Sequence, residues 1–149
     1  MKKLFAFAAL TAIVMTSFTS CKKDNGPKSK TELLTGQSWK QVKFEEKDAV
    51  ADPWTDITNT YSACELDNII SFSTSGTFTE TEGATKCSPG DPDIATSGGW
   101  NFQSNETILR LILGVFNSDA TIETLDASTL RISYSDPTGP YYFRITMQH

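Results

Sequence analysis

Histidine and cysteine are scarce in this sequence, and their scarcity removes most kinds of catalytic site. The only histidine among the 149 residues is His149, and the only cysteines are Cys21, Cys64 and Cys87. A Ser-His-Asp set therefore has no histidine in the body of the chain, and no residue cluster has metal-ligand spacing. A glycine-rich phosphate loop is also missing. We therefore expect a protein that is not an enzyme and that holds no metal or cofactor.

Basic charge and long apolar runs are also limited. The chain has 13 Lys and Arg against 18 Asp and Glu, a net charge of −5, and no basic patch that would neutralise phosphates. This balance argues against nucleic acid as a partner. The apolar run at 4–15 is too short to cross a bilayer but has the length of a signal-peptide core, and Lys2 and Lys3 precede it.

The segment that follows this run resembles a bacterial lipobox. It reads Phe18-Thr19-Ser20-Cys21, and in a lipobox small residues precede a cysteine that receives a diacylglycerol with palmitate-like acyl chains. The resemblance implies a lipoprotein signal peptide at 1–20 and a lipid on Cys21. Lys22, in place of a retention aspartate, predicts the outer membrane of a Gram-negative envelope. The alternative is an ordinary secretory signal beside an unrelated cysteine.

Residues 21–30 are predicted to be a flexible tether, because they are polar and broken by Gly26 and Pro27. Their lysines face either solvent or anionic lipid headgroups. The globular domain is predicted at 31–149, beginning with a short helical turn that ends at Gly36.

The stretch from Cys64 to Cys87 predicts a β-hairpin. Ile70 and Phe72 alternate with serines, and Gly76 occupies the third position of a three-residue turn, where positive φ is usual. Counting outward from this turn places Phe72 opposite Phe78 and brings the two cysteines together. With Cys21 lipidated, Cys64 and Cys87 remain as one pair, and we expect a disulfide in an oxidising compartment.

Alternation and turn residues divide the domain into strands with one buried and one wetted face. In the first strand, Trp39 is an odd number of residues away from Val42 and Phe44, so strict alternation would place it on the opposite face. This predicts a β-bulge between them. Short connections pair sequential strands as hairpins, so the predicted fold is all-β, an eight-stranded antiparallel up-and-down barrel. The predicted strands are 37–47, 66–73, 77–82, 98–103, 107–113, 119–125, 128–135 and 140–148.

These elements resemble the lipocalin-like domains of bacterial envelope lipoproteins. The resemblance is carried by Gly36-Gln37-Ser38-Trp39, the hairpin around Gly76, the cysteine pair and Gly99-Trp100, and it spans about 31–149. Lipocalins proper stack an arginine near the C-terminus on the tryptophan of the first strand. Arg144 is the nearby candidate, but its alternation points outward, so that contact is not expected.

The barrel geometry predicts where a ligand would bind. The long loops lie at the end opposite the tether, and inward side chains near that distal mouth are expected to form the site, together with a tryptophan on the first long loop. A small hydrophobic or amphipathic ligand is the expected partner besides the membrane. The predicted ligand-binding residues are Phe44, Trp54, Glu80, Trp100, Leu113, Tyr134 and Tyr141.

Several alternatives remain open from the sequence. A packed barrel that serves a structural or protein-interaction role would need no small ligand. Ile108 and Ile112 point outward from the strand at 107–113, so this strand is either covered by the N-terminal turn or contacts a homodimer or protein partner. Asp91 and Asp93 fit a solvated Pro-Gly turn better than a calcium site, and Glu80 and Glu82 fit strand-end glutamates better than an acid-base pair.

Overall fold

The computed structural model describes residues 26–136 and 139–149 and shows an almost entirely β fold. Two short helices, α1 (Lys30–Thr35) and α2 (Ala63–Leu66), and a 3-10 turn at Thr58–Thr60 accompany nine strands. The strands are β1 (Trp39–Lys47), β2 (Thr55–Asp56), β3 (Ile69–Phe72), β4 (Thr77–Thr81), β5 (Ile94–Gln103), β6 (Ile108–Leu113), β7 (Phe116–Leu125), β8 (Thr129–Ser135) and β9 (Tyr142–Gln148).

Eight of these strands close an antiparallel up-and-down barrel, which confirms the predicted fold class. Strands β3 to β9 pair in sequence order, and β1 closes the barrel by pairing with both β9 and β3. The β1–β9 seam is long, running from Lys40 to Lys47, whereas β1 meets β3 only through Trp39 and Lys40. The two-residue β2 pairs with Glu45 and Glu46 of β1, beyond the short seam with β3.

The hairpin at β3 and β4 has the predicted register. Phe72 pairs with Phe78, and Ser73 N–H donates to the carbonyl of Thr77 at 2.8 Å. Gly76 has φ of +81°, which a glycine adopts without the penalty of a Cβ. Its carbonyl accepts from Trp100 N–H at 2.8 Å, so the turn is tied to β5.

The predicted bulge in β1 is present and falls at Val42. The register with β9 shifts between Gln41 and Lys43, so Gln41 keeps the inward face of Trp39 and Phe44 returns to it after the bulge. Val42 is the inserted residue and is exposed rather than inward with Phe44.

Helix α1 covers the end of the barrel that carries the short turns. We call this end the base, and it comprises α1, the turns at 73–76, 104–107 and 126–128, and His149. Ser29 and Glu32 form a capping box at its start. Leu34 is fully buried in the core, and its carbonyl accepts from Trp39 Nε1 at 2.9 Å. The helix ends at Gly36, where a Cβ would lie 2.6 Å from the carbonyl oxygen of Glu32.

Two strands are longer than predicted. Strand β5 begins at Ile94 and not at 98, because Gly98 and Gly99 pair within the sheet with Phe78 and Thr77. A Cβ on Gly98 would lie 2.3 Å from the carbonyl oxygen of Ile112, so only glycine fits this close approach. Strand β7 begins at Phe116 and not at 119, and its first residue pairs with Leu113.

The two long loops lie at the end opposite the base and are joined by a disulfide, as predicted. Cys64 in α2 and Cys87 between β4 and β5 have their Cα atoms 5.2 Å apart. We call this end the distal rim (48–68, 82–93, 114–115, 136 and 139–141). The predicted signal peptide, Cys21 and the first half of the tether lie outside the described residues. Within 26–136 and 139–149, no helix has the length and apolar character needed to cross a bilayer.

A candidate ligand site inside the barrel

A small cavity lies inside the barrel between its two ends. Its volume is about 120 Å³, and its wall is apolar apart from two residues, Gln41 and Glu80. The apolar wall comes from five strands: Ile70, Phe72, Phe78, Leu109, Leu111, Ile132, Ile145 and Met147. An apolar wall with a few placed polar groups is the usual composition of a ligand site.

Local backbone features bring both polar side chains into this interior. Gln41 is inward because the bulge comes one residue after it, at Val42. Glu80 is inward because it pairs with Ile70 and lies two residues from Phe78 on the same face of β4. The bulge and the tight hairpin turn therefore place the two polar side chains of the cavity wall.

Glu80 has one hydrogen-bond partner within the described part of the chain. Asn68 Nδ2 donates to its Oε1 at 3.3 Å, and no lysine or arginine of that part forms an ion pair with it. Asn68 is only 9% exposed, and its own Oδ1 is buried without a partner in that part of the chain. Glu82, which follows β4, also has a buried oxygen, Oε2, without a partner among the described residues.

Aromatic side chains stand between the cavity and the distal rim. The rings of Tyr61 and Phe44 are stacked with their centroids 3.9 Å apart, and the ring centroids of Tyr134 and Phe143 are 5.6 Å apart. Tyr134 and Phe143 are the next inward-facing residues after Ile132 and Ile145 in the direction of the rim. Burial raises the pKa of both tyrosines above the usual value, so their hydroxyls stay neutral and can donate hydrogen bonds.

Two tryptophans that were expected at the distal mouth lie elsewhere. Trp100 is buried and inward, but it lies near the base, where its Nε1 donates to the carbonyl of Ser73 at 3.0 Å. The early start of β5 explains this shift. Trp54 lies against the outer wall, with the guanidinium carbon of Arg144 4.4 Å from its ring centroid.

The remaining predicted residues occupy three different places. Glu80 lines the cavity, and Phe44 and Tyr134 belong to the aromatic layer above it. Leu113 and Tyr141 are exposed at the distal rim, and Tyr141 precedes β9 instead of lying in it. The seven residues therefore do not converge on one site, and their role in ligand binding stays a prediction.

A second, polar groove lies on the outer wall beneath the first long loop. It encloses about 380 Å³ and is lined by Lys47, Val50, Trp54, Asp119, Thr121, Glu123, Ser133, Tyr134, Ser135 and Tyr142. Below Trp54, Arg144 donates two hydrogen bonds of 2.7 Å to Glu45. This groove is open and holds charges of both signs, whereas the interior cavity is narrower and is lined mostly by apolar side chains.

The acidic turn at Asp91 and Asp93 is used for internal contacts. Asp91 Oδ2 accepts from Ser88 N–H at 2.8 Å, and Asp93 pairs with Lys86 at 2.7 Å. Across the described ranges, no three His, Cys, Asp or Glu side chains are grouped so that they could hold a metal ion. On the predicted partner strand, Ile108 and Ile112 of β6 are half-buried, and a contact with another chain stays a prediction.

The sequence interpretation missed most residues of the cavity wall as a site. Alternation placed Phe72, Phe78 and Ile132 inward, but it gave no sign that a space remained between them. For Gln41 a signal existed, because it shares the parity of Trp39 ahead of the predicted bulge. The chain matches no protein-family model and no curated protein.

Proposed function

We propose that this protein is a lipid-anchored lipoprotein of a Gram-negative envelope whose barrel binds a small amphipathic molecule. The observation that carries the proposal is the interior cavity of 120 Å³, with apolar walls and the two polar side chains Gln41 and Glu80. Lipidation of Cys21 and an outer-membrane location are part of the same proposal. They are supported by the lipobox resemblance and by the position of α1, since the chain enters the barrel at the base.

The cavity volume limits the size of the ligand. Drug-sized ligands occupy pockets of roughly 300–1,000 Å³, whereas an apolar cavity of about 150 Å³ accommodates benzene. A body of about four to six carbon atoms therefore fits the space of 120 Å³. Long fatty acids and bile-acid-like molecules do not fit inside without rearrangement of the wall.

The expected affinity is weak. A ligand of this size buries roughly 150 Å² of apolar surface, and about 25 cal/mol per Å² gives about 4 kcal/mol. Immobilising the ligand consumes part of this free energy, so we expect a dissociation constant of about 1 mM or larger. Polar contacts to Glu80 or Gln41 would then decide which molecules bind.

The test compares binding to the cavity with and without free space. Ile132→Phe adds bulk to the cavity wall, and Ile94→Phe makes a similar change at an exposed position. The purified full chain in phospholipid nanodiscs is titrated with five-carbon amphiphiles by ligand-detected NMR, with empty nanodiscs as the blank. We expect saturable binding that Ile132→Phe abolishes and Ile94→Phe retains. No saturable binding, or equal binding by both variants, would contradict the proposal.

A second candidate function is supported by the distal rim. Six of the large apolar side chains that are exposed lie at or beside it: Val50, Ile94, Leu113, Val115, Phe116 and Tyr141. Val115 and Phe116 at the tip of the β6–β7 hairpin are 89% and 75% exposed. Exposed apolar side chains at one end of a molecule are typical of a contact surface, so a packed barrel that presents this rim to a protein partner is the alternative.

A photo-crosslinking residue tests this second candidate. It is placed at Val115 on the rim or, as the control, at Lys40, which is exposed near the base. Discrete adducts in the intact envelope from position 115 and none from position 40 would favour the interaction protein. Equal labelling from both positions, or none, would count against it.

A further inference from the structure

Two side chains form the polar lining of the interior cavity: the amide of Gln41, which can donate or accept hydrogen bonds, and the carboxylate of Glu80. A carboxylate offers only acceptor oxygens, and Glu80 lines the cavity with a single hydrogen bond from Asn68. Beside Glu80, the Oδ1 of Asn68 is a buried acceptor that has no partner within the described residues. Buried polar atoms are nearly always hydrogen-bonded, so this oxygen marks a place where a donor is needed.

The nearby cations of the barrel point away from this interior. Lys43 pairs with Glu45, and Arg144 donates to Glu45 on the outer face. Arg131 donates to Thr146, which is also on the outer face. Within the described residues, no lysine or arginine forms an ion pair with Glu80.

We infer that the cavity selects a small molecule that carries a protonated amine on a hydrocarbon body of about four to six carbons. This inference rests on the proposed function and names the ligand class of the same site. An ammonium group supplies three N–H donors and a positive charge, which match the carboxylate of Glu80, a group that no cation of the described residues pairs with. The apolar wall of Ile70, Leu109 and Ile132 receives the hydrocarbon body.

The same geometry disfavours anionic amphiphiles. A carboxylate ligand would bring a second negative charge beside Glu80 in a largely apolar interior, where like charges repel strongly. An alcohol of the same shape offers one donor and no charge, so it falls between the two. We therefore expect the order of affinity to be ammonium, then alcohol, then carboxylate.

Asn68 acts in this arrangement as a positioning residue. It is nine-tenths buried, and its Nδ2 holds one oxygen of Glu80 while its Oδ1 remains free to accept. Replacing it with alanine would leave Glu80 in place but remove the contact that orients the carboxylate. Asn68→Ala should weaken ammonium binding more than alcohol binding.

The experiment measures binding of three five-carbon probes of matched shape: isopentylammonium, isopentanol and isovalerate. The full chain in nanodiscs is titrated by ligand-detected NMR, with Glu80→Gln as the test variant and Glu106→Gln, an exposed carboxylate at the base, as the control. Isopentylammonium should bind about tenfold or more tightly than isopentanol. Glu80→Gln should remove most of this preference, and Glu106→Gln should keep it.

The possible outcomes separate this inference from the proposed function. Equal binding of the ammonium and the alcohol, tighter binding of isovalerate, or an unchanged preference in Glu80→Gln would overturn the ammonium inference and leave a small-molecule site in place. No binding of any probe would overturn both. If Glu80→Gln does not fold, the order of the three probes on the unchanged chain still decides.

Discussion

The imidazole ring of His149 lies against the indole ring of Trp39, with centroids 4.2 Å apart and planes inclined by 42°. Both imidazole nitrogens face carbonyl oxygens, Nδ1 that of Ser38 at 3.0 Å and Nε2 that of Ala127 at 2.9 Å. The indole also donates to α1 through Leu34. One buried tryptophan therefore joins β1, α1 and the C-terminal residue at the base.

Replacing Trp39 should destabilise the base. Trp39→Phe removes the Nε1 donor, leaves the buried carbonyl of Leu34 without a partner, and reduces the contact with His149. An unsatisfied buried acceptor costs about 1–3 kcal/mol, so we expect the free energy of unfolding to fall by at least about 1 kcal/mol. Urea denaturation measures the change. Trp54→Phe on the outer wall is the control, and an equal loss in both variants would contradict this role for Trp39.

Removing the disulfide should lower stability through the unfolded state. Cys64 and Cys87 are 23 residues apart in sequence, and closing a loop of this length contributes about 3 kcal/mol in the chain-entropy estimate. The double variant Cys64→Ser/Cys87→Ser should lose about this amount in urea denaturation. Reduction of the unchanged chain should give the same loss. A change below about 1 kcal/mol in both experiments would show that the bridge does not restrain the unfolded chain.

Elements whose geometry is decided by neighbouring residues could be predicted from the sequence. Turn chemistry at Gly76 gave the register that pairs Phe72 with Phe78, and the change of parity after Trp39 revealed the bulge in β1. Short connections then predicted that successive strands pair. The pairing of β1 with β9, which closes the barrel, was the remaining inference. Each inference used a local rule with a period of two or a turn of known length.

The site depended on positions that no local pattern reports. Trp100 was assigned to the mouth because the two glycines before it suggested a strand start, whereas they pair inside β5. Trp54 lies outside the wall because the first long loop folds back over β9, and alternation says nothing about the course of a loop. The cavity itself depends on how side-chain volumes from six strands add up, which is a property of the packed barrel.

Lipidation of Cys21 is testable independently of the barrel. Cells that express the full chain are labelled with radioactive palmitate, and the protein should incorporate label only if residue 21 is cysteine. Cys21→Ser should lose the label completely, while Cys64→Ser, the control, should retain it because Cys64 is in the disulfide. Label in Cys21→Ser, or none in the unchanged chain, would leave the ordinary secretory signal as the explanation.

The ion pair between Glu45 and Arg144 gives the fold a defined acid sensitivity. Glu45 is only 5% exposed, accepts two hydrogen bonds of 2.7 Å from Arg144, and also contacts Lys43 Nζ at 2.8 Å. The hydrogen bonds from Arg144 are the largest cause that lowers the pKa of Glu45 to about 2, against the opposing effect of burial. The pair ties β1 to β9 across the seam that closes the barrel.

This depressed pKa predicts how stability depends on pH. Because the pKa of Glu45 in the folded protein lies below its usual value of 4.5, its contribution is fully present above about pH 4.5 and is lost as pH falls toward 2. The contribution is at most about 3 kcal/mol. Glu45→Gln should therefore be clearly less stable than the unchanged chain at pH 6 in urea denaturation, and the difference should shrink steadily between pH 4.5 and pH 3.

The control for this prediction is Glu106→Gln, an exposed carboxylate at the base that forms no ion pair within the described residues. Its difference from the unchanged chain should stay small and nearly constant with pH. A Glu45→Gln difference that is equally constant from pH 6 to pH 3 would mean that Glu45 does not titrate with folding. The cost of Glu45→Gln would then come from lost contacts that do not depend on pH, although Arg144 still has Glu123 as an acidic neighbour at 3.7 Å.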